Sequence, residues 1–116
     1  MNFKLRGSNS TEQMDINRKI GRLGERIAKD DYRKNGYHTL DVKCGMFFDF
    51  AAVRFLDKKL DLVFVECKVG NAHMSRRQIW FKRWCQKAGQ NFFLYQIPNE
   101  RLRYLMENEI GVGDLR

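Results

Sequence analysis

The segment Leu62–Lys68 limits the possible folds of this chain more than any other. It reads LVFVECK, an apolar run that ends with a carboxylate and an amine two positions apart. Polar residues and a glycine bound the run, so it is typical of a buried β-strand. Side chains alternate between the faces of a strand, so we expect Glu66 and Lys68 on one face and Cys67 on the other. Because burying charge is costly, the pair indicates either a structural ion pair or the edge of an active site.

A second apolar segment, Met46–Val53, predicts a neighbouring strand with Asp49 in its middle. The short polar segment Leu56–Lys59 joins the two strands and suits a hairpin turn. Asp49 and Glu66 would then lie side by side, where two carboxylates repel unless a cation lies between them or one is protonated. A hard divalent ion held by carboxylate oxygens beside a lysine is suited to cleaving phosphodiesters. Asp61 is a rival carboxylate, but it lies five positions before Glu66 and therefore on the opposite face.

The length and charge of the chain narrow the class of protein. At 116 residues it is long enough for one domain with a real core but not for two. No stretch reaches the length of a membrane span, and the polar, basic residues 1–10 do not resemble a signal peptide. The net charge of +8 fits a polyanionic partner.

The cysteines favour a reducing environment. Cys44, Cys67 and Cys85 are widely spaced and form no CxxC pair, and His38 and His73 stand at no zinc-ligand spacing from them. We therefore expect reduced core cysteines in an intracellular protein, whether cytoplasmic, associated with a nucleoid or, for a viral protein, inside the host cell.

The order of the apolar patterns predicts one α/β (α+β) domain with a mixed central sheet flanked by helices. Residues 1–14 are expected to form a mobile basic arm, residues 15–110 the domain and residues 111–116 a frayed tail. The expected elements are a helix to about Asn35, strands at Tyr37–Val42, Met46–Val53 and Leu62–Lys68, a loop at Gly70–Met74, a helix from Ser75 to before Gly89, a strand at Asn91–Ile97 and a short helix from Asn99 to about Asn108.

The first predicted helix carries an apolar stripe with an acid at its edge. Glu25 is that acid, and Gly21 and Gly24 would let another backbone approach closely, aiming Glu25 at the carboxylate end of the strands. The alternative is an ordinary surface acid that pairs with Arg22 or Lys29. The stripe consists of Ile20, Leu23, Gly24, Ile27, Ala28 and Tyr32.

The second predicted helix is both basic and aromatic. It has no acidic residue from Ser75 to Gly89, and its five cations favour a phosphate backbone over a solvated face. Trp80 and Trp84 are four positions apart, and aromatic residues at helical spacing are usually core residues, so we expect them in the core; contact with nucleic acid is the alternative. Ser75 and Gln78 have the spacing of a capping box.

The pattern of acids resembles that of the PD-(D/E)XK nuclease superfamily. It consists of an acid on the first helix, an aspartate at one strand and Glu-x-Lys on the next strand. The resemblance covers roughly residues 18–97, and its matching segments are Gly21–Arg26, Phe48–Phe50 and Val65–Lys68. The first segment is similar to small archaeal Holliday junction resolvases. The part from the Glu-x-Lys strand to the last strand is similar to nucleases of the virus-type replication-repair (VRR-NUC) group. Phe48 stands where the superfamily has a proline, which shapes the loop but ligates nothing.

The resemblance implies a restriction-endonuclease-like αβββαβ core and a Mg²⁺-dependent DNA endonuclease that hydrolyses phosphodiester bonds. It makes branched DNA and Holliday junctions candidate substrates, with a role in DNA repair or recombination. It also implies a homodimer, for which the terminal-helix residues Leu102, Leu105 and Met106 or the Trp80/Trp84 side are candidate contacts. The alternative is a non-catalytic nucleic-acid-binding module that keeps the fold, against which the complete set of two acids and a lysine argues.

The resemblance also implies roles for individual residues. Asp49 and Glu66 would ligate Mg²⁺ or Mn²⁺, with the backbone carbonyl of Cys67 as a third oxygen. Lys68 would orient or deprotonate the attacking water, or neutralise charge as the pentavalent phosphate forms. Glu25 would hold a metal-bound water or a second ion.

Residues on the two helices complete the expected site. Gln78 would contact it from the second helix, unless the capping box is its whole role. The expected nucleic-acid-binding residues are Arg22, Arg26, Arg76, Arg77, Lys82 and Arg83.

Overall fold

The computed structural model describes residues 10–42, 47–104 and 107. Its elements follow the predicted order of helix, three strands, helix, strand and short helix. They are α1 (Ser10–Lys34), β1 (His38–Asp41), β2 (Phe50–Leu56), β3 (Lys59–Val69), α2 (Arg76–Ala88), β4 (Asn91–Ile97) and α3 (Asn99–Tyr104). Helix α1 starts at Ser10, so part of the expected N-terminal arm is helical; residues 1–9 and the expected tail at 111–116 lie outside the described residues.

The four strands form one mixed sheet in the order β1-β2-β3-β4. Strands β1, β2 and β3 are antiparallel neighbours, and β4 runs parallel to β3, as expected for a strand reached through a helical crossover. The mixed sheet and the α+β class are therefore confirmed. Within the described residues, no helix is long and apolar enough to cross a membrane.

The predicted hairpin connects β2 to β3. Leu56 pairs with Lys59, and the two residues between them, Asp57 and Lys58, have φ of 51° and 67°. Two consecutive positive φ values define the tight turn that matches the twist of antiparallel strands. The turn sets the register in which Phe50 lies opposite Val65.

Strand β2 starts at Phe50, four residues later than predicted, and Asp49 directly precedes it. The predicted start, Met46, lies outside the described residues. The rings of Phe47 and Phe48 pack against α2. The Phe48 and Phe81 ring centroids are 5.2 Å apart, and the Phe47 ring also contacts Phe81. Their hydrophobicity thus reflects packing against a helix and not membership of the strand.

Helix α1 covers one face of the sheet with its predicted apolar stripe. Ile20, Leu23 and Ala28 are buried. Gly24 is essential to the close approach, because a Cβ atom there would lie 2.7 Å from Cγ2 of Val69 on β3. The same expectation for Gly21 is wrong, since a Cβ atom added there would have no neighbouring atom within 4 Å.

Helix α2 covers the opposite face with a cluster of aromatic rings. Phe81 contacts Phe64 and Phe92 from the sheet at centroid distances of 5.2 and 6.1 Å. Trp80 and Trp84 are 59% and 45% exposed, so the expectation that they are core residues is wrong. Phe81, with Gln78 and Cys85, occupies the sheet-facing side of α2, which leaves the two tryptophans at its edge.

Helix α3 completes the core on the α1 side of the sheet. Leu102 is fully buried and clusters with Ile20, Leu23 and Ile97. It is therefore not available as the dimer contact proposed for it from sequence. Leu105 and Met106 lie outside the described residues.

Candidate active site

The centre of the site is Glu66, near the carboxyl end of β3. Its side chain is only 2% exposed, and Lys68 Nζ lies 3.4 Å from its Oε1 atom. The strand alternation predicted from sequence is confirmed, because Lys68 shares the face of Glu66 whereas Cys67 packs against the α1 side. The second carboxylate oxygen, Oε2, is buried and has no hydrogen-bond partner among the described residues when both acids are ionised. A hydrogen bond to the Asp49 carboxylate favours the protonated form of Glu66.

Asp49 is held beside β3 by two backbone contacts. Its own N–H donates to the Val65 carbonyl at 2.9 Å, and its Oδ2 atom accepts from the Cys67 N–H at 2.7 Å. In a strand, the N–H and C=O of one residue point to the same neighbouring strand. The Cys67 carbonyl therefore lies on the side of β3 that faces Asp49, while its role as a ligand stays a prediction.

The two carboxyl groups influence each other's ionisation. Burial and then the negative charge of Asp49 raise the pKa of Glu66 to about 7, against the opposing effect of Lys68. Burial also raises the pKa of Asp49, against the hydrogen bond from the Cys67 N–H. A buried and a half-buried acid with raised pKa values, next to one lysine, form a site that a cation would stabilise.

Glu25 reaches the site electrostatically from α1. Burial is the largest cause of the raised pKa values of Asp49 and of the Cys67 thiol, and the negative charge of Glu25 raises both pKa values further. Glu25 also pairs with Lys29, whose Nζ lies 3.0 Å from Glu25 Oε1. The predicted ion pair with Lys29 is therefore present, whereas the role of Glu25 in holding a water molecule or a second ion stays a prediction.

Lys29 is a residue that the sequence did not single out for the site. Its amine bridges Glu25 on α1 and Asp41 at the end of β1. Burial lowers its pKa, but the hydrogen bonds to Asp41 and Glu25 outweigh this, so the net shift is upward and the amine stays charged. The spacing of four between Glu25 and Lys29 is a signal readable from sequence, whereas the contact with Asp41 depends on how α1 packs against the sheet.

A cleft of about 210 Å³ opens beside Lys68, between α1 and the end of β3. Gly21 lines it, so the open space at this glycine is part of the cleft. The other lining residues are Asn17, Ile20, Cys67, Val69 and Ala72.

Gln78 forms the capping box that its spacing predicted. Its side-chain oxygen accepts from the Ser75 N–H at 2.8 Å, and its own N–H donates to Ser75 Oγ at 3.2 Å. The side chain is buried at the start of α2. These bonds account for its position, and its catalytic role stays a prediction.

The rival acid Asp61 belongs to a separate polar cluster. Its Oδ2 atom accepts from Tyr37 Oη at 2.7 Å and from Arg54 Nε at 3.0 Å. These hydrogen bonds lower its pKa. It pairs with Arg54 across the hairpin, far along β3 from Glu66.

Among the described residues, the cysteine thiols and histidine rings form no metal-binding group with the carboxylates. Cys67 and Cys85 are free thiols, and burial raises the pKa of the Cys67 thiol to about 12. Cys44 lies outside the described residues. His38 and His73 are exposed.

The predicted nucleic-acid-binding residues lie on two helices that cover opposite faces of the sheet. Arg22 and Arg26 are exposed on α1. On α2, Lys82 is half-buried, and the other three are exposed: Arg76, Arg77 and Arg83.

The residues of the site fit a divalent metal ion by their chemistry. In the described part of the chain, no three His, Cys, Asp or Glu side chains form a complete metal centre by themselves. Mg²⁺, however, is usually bound by one or two carboxylates and completes its coordination with water and substrate oxygens. Asp49 and Glu66 supply two such carboxylates, and the unpartnered Oε2 of Glu66 is the atom that a cation would satisfy.

Comparison with protein-family models, with curated proteins and with solved structures found no match to this chain.

Proposed function

We propose that this chain is a divalent-metal-dependent nuclease of the PD-(D/E)XK type that hydrolyses phosphodiester bonds in DNA. The observation that carries the proposal is Glu66, whose buried carboxylate lies beside a second acid and 3.4 Å from a lysine. One of its oxygens has no hydrogen-bond partner in the part of the chain that the structure describes. A buried charge in this state costs stability. The cost is explained if the carboxylate binds a cation that in turn contacts a phosphate, because functional sites are where such perturbed acids cluster.

Asp49 and Glu66 would hold the ion, which would be Mg²⁺ or Mn²⁺ because both ligands are oxygen. When bound, it would lower the pKa of a water molecule and offset negative charge on the phosphate. The Cys67 N–H keeps the Asp49 carboxylate turned toward β3, at 2.7 Å. The ligand is therefore oriented before any ion binds, which reduces the entropy lost on binding.

Lys68 is the group best positioned to act on the reacting phosphate. Its amine is partly exposed beside the cleft and also contacts Glu66, so it can face both the ion site and a substrate. A protonated lysine there would neutralise the charge that grows on the phosphate, and a neutral one would accept a proton from the attacking water.

Glu25 would hold a water molecule or a second ion at the α1 side of the site. Lys29 positions its carboxylate through a contact of 3.0 Å, and Gly24 brings that turn of α1 against β3. Glu25 would thus act on the site from α1, whereas Asp49 acts from the segment before β2, and Lys29 would be a positioning residue.

The basic composition supports DNA as the substrate. The net charge is +8, and α2 carries five cations and no acid. Phosphate contacts of this kind supply affinity without regard to sequence. Branched DNA and Holliday junctions are the structured substrates we propose to test first, with the chain acting as a homodimer when two strands are cut.

The second candidate function is a nucleic-acid-binding module without catalysis, which the basic helix α2 favours. The two functions differ in what they require of Glu66. Binding alone would gain nothing from a buried carboxylate that repels a phosphate backbone, whereas hydrolysis needs it.

The test is a nicking assay on supercoiled plasmid and on a four-way junction, with Mg²⁺, Mn²⁺, Ca²⁺ or EDTA. We expect cleavage with Mg²⁺ and Mn²⁺, binding without cleavage in Ca²⁺, and no cleavage in EDTA. Mg²⁺ should also raise the melting temperature of the wild type and have little effect on Asp49→Asn, because the ion binds only the folded site. Full cleavage in excess EDTA would refute the metal dependence, and DNA binding with no cleavage under any condition would favour the module.

A further inference from the structure

Helix α2 presents two exposed tryptophans on a surface that is otherwise basic. Trp80 is 59% and Trp84 45% exposed. Leaving two large aromatic rings in water is costly, so such a surface usually serves a contact. The chain has only these two tryptophans.

Trp84 is the outer end of a column of nearly parallel rings. Phe48 and Phe81 are stacked with 5.2 Å between centroids and 23° between planes. Phe81 and Trp84 are stacked with 5.7 Å and 15°. The face of Trp84 that points away from Phe81 is supported from behind by this column, and its orientation is therefore set before a ligand arrives.

Trp80 extends the same surface toward the candidate site. Its ring contacts Phe47 at 6.0 Å between centroids. Phe47 and Phe48 directly precede Asp49 in the chain. The aromatic surface is therefore linked, through two adjacent residues, to the carboxylate cluster.

Cations surround the two tryptophans on α2. Residues three, four or seven positions apart lie on the same side of a helix. At these spacings from Trp80 or Trp84 the sequence places four basic residues and no acid: Arg76, Arg77, Arg83 and Lys87.

We infer that this surface binds unpaired nucleotides, with a base stacked on Trp84 and the strand's phosphates on the surrounding cations. The inference deepens the proposed nuclease function and rests on it for the position of the scissile strand. Paired bases hide their faces within the duplex, so only a single strand, a flap or an opened junction can stack on an exposed ring. The surface therefore selects DNA with unpaired segments.

A second copy of the chain is the competing occupant. In a two-fold symmetric contact, the same patch faces itself. The cations of α2 would then meet their own copies with no acid on the helix to compensate them. Like charges in apposition oppose association, so charge favours a polyanionic strand.

Intrinsic fluorescence offers a direct test, because both tryptophans of the chain belong to this surface. The wild type would be titrated in Ca²⁺ with a single-stranded oligonucleotide, with its blunt duplex and with the same duplex carrying a single-stranded flap. Stacked bases quench indole emission, so we expect quenching by the single strand and the flap and much less by the blunt duplex. Equal quenching by all three would overturn the inference.

Variants separate stacking from charge. Trp84→Ala should weaken single-strand binding by about tenfold and duplex binding by about twofold or less, whereas Trp84→Phe should keep most of the affinity. Arg76→Ala combined with Arg77→Ala should weaken both and lower the dependence of affinity on salt. Phe55→Ala, which removes another exposed aromatic ring, is the matched control on β2 and should change neither. Binding would be measured by fluorescence anisotropy of labelled DNA, with circular dichroism to verify folding.

Failure of this inference is distinguishable from failure of the proposed function. If the wild type cleaves DNA but Trp84→Ala binds single strands as well as the wild type does, the stacking surface is refuted and the nuclease stands. If Trp80→Ala or Trp84→Ala converts a dimer into a monomer in sedimentation, the face is an interface between copies and the inference is overturned. If the wild type binds no nucleic acid, both are overturned.

Discussion

Strand β3 carries two carboxylates, the half-buried Asp61 and the buried Glu66, and their hydrogen-bonding environments differ. Asp61, near its start, accepts hydrogen bonds from Tyr37 at 2.7 Å and Arg54 at 3.0 Å. Glu66, near its end, is 2% exposed, has one oxygen without a hydrogen-bond partner in the described part of the chain and has its pKa raised by the charge of Asp49. The same chemical group has its pKa lowered at one end of the strand and raised at the other.

This contrast distinguishes an acid that stabilises the fold from one that we propose to have a function. Asp61 has cationic and hydroxyl donors and stabilises the hairpin as it stands. Glu66 has too few hydrogen-bond donors, so its ionised form lowers the stability of the fold, and a bound cation would offset this loss. Paired substitutions at the Asp61 end and the Glu66 end of β3 should therefore differ in their effects on cleavage and stability.

The largest difference is expected between the two cations that accompany these acids. Lys68→Ala should reduce cleavage by about a hundredfold to ten-thousandfold, because its proposed action is in the transition state, and should change DNA affinity by only a few-fold. Arg54→Ala, the matched change at the Asp61 end, should lower thermal stability and leave cleavage near normal. Single-turnover rates and binding curves in Ca²⁺ would measure both. A loss of affinity as large as the loss of rate would make Lys68 a phosphate-binding residue instead.

Glu25 tests whether the Glu66 end includes a third acid. Glu25→Gln should reduce cleavage by about a hundredfold, typical of losing a positioned catalytic group. Asp41→Asn, which removes only the other partner of Lys29, is the control and should retain most of the activity. Cleavage rates at saturating Mg²⁺ decide the matter. Near-normal cleavage by Glu25→Gln would reduce Glu25 to the partner of a surface ion pair.

The two acids should respond to neutralisation with opposite signs. The pKa of Glu66 is raised from 4.5 to about 7, so the folded, metal-free protein binds more protons than the unfolded chain in that window. Its free energy of unfolding therefore falls as the pH rises through the window. Glu66→Gln should remove this dependence and stabilise the metal-free protein by about 2 kcal/mol above pH ~8.

Asp61 has a lowered pKa, so its contribution to stability is present above its ordinary value of 3.8 and is lost as the pH falls through the folded value. Asp61→Asn should therefore destabilise the protein at neutral pH by about 1–2 kcal/mol. It should also make the free energy of unfolding depend less on pH in the acid range. Urea unfolding across the pH range measures both variants. Destabilisation of the metal-free protein by Glu66→Gln would contradict the comparison.

The last comparison concerns Gly21 and Gly24, two glycines on α1 near its approach to β3. Gly24→Ala should destabilise by about 1–3 kcal/mol, because its Cβ would lie 2.7 Å from Val69, and should lower cleavage by moving Glu25. Gly21→Ala has open space and should stabilise by about 0.5–1 kcal/mol through helix propensity. Thermal melts of both variants, with cleavage rates, would show whether the approach of α1 serves the site. Equal effects of the two changes would contradict this.

The order of the elements and the arrangement of β3 could be predicted from the sequence. Alternation along Leu62–Lys68 places Glu66 and Lys68 on one face, and the short polar segment between β2 and β3 indicated the hairpin. Periodicity identified the stripe of α1, and Ser75 with Gln78 identified the start of α2. These features are local, because they follow from the spacing of apolar and capping residues within one element.

The neighbours of each element, in contrast, became clear from the packing of the folded chain. It starts β2 at Phe50 and assigns the preceding phenylalanines to packing against α2. It leaves Trp80 and Trp84 exposed, because Phe81 already fills the sheet-facing side of their helix. It bridges Glu25 to Asp41 through Lys29, and among residues 10–42, 47–104 and 107 it gives Oε2 of Glu66 no hydrogen-bond partner. A sequence pattern gives the polarity of each face of an element, but burial and hydrogen bonding depend on residues distant in the chain that packing brings to that face.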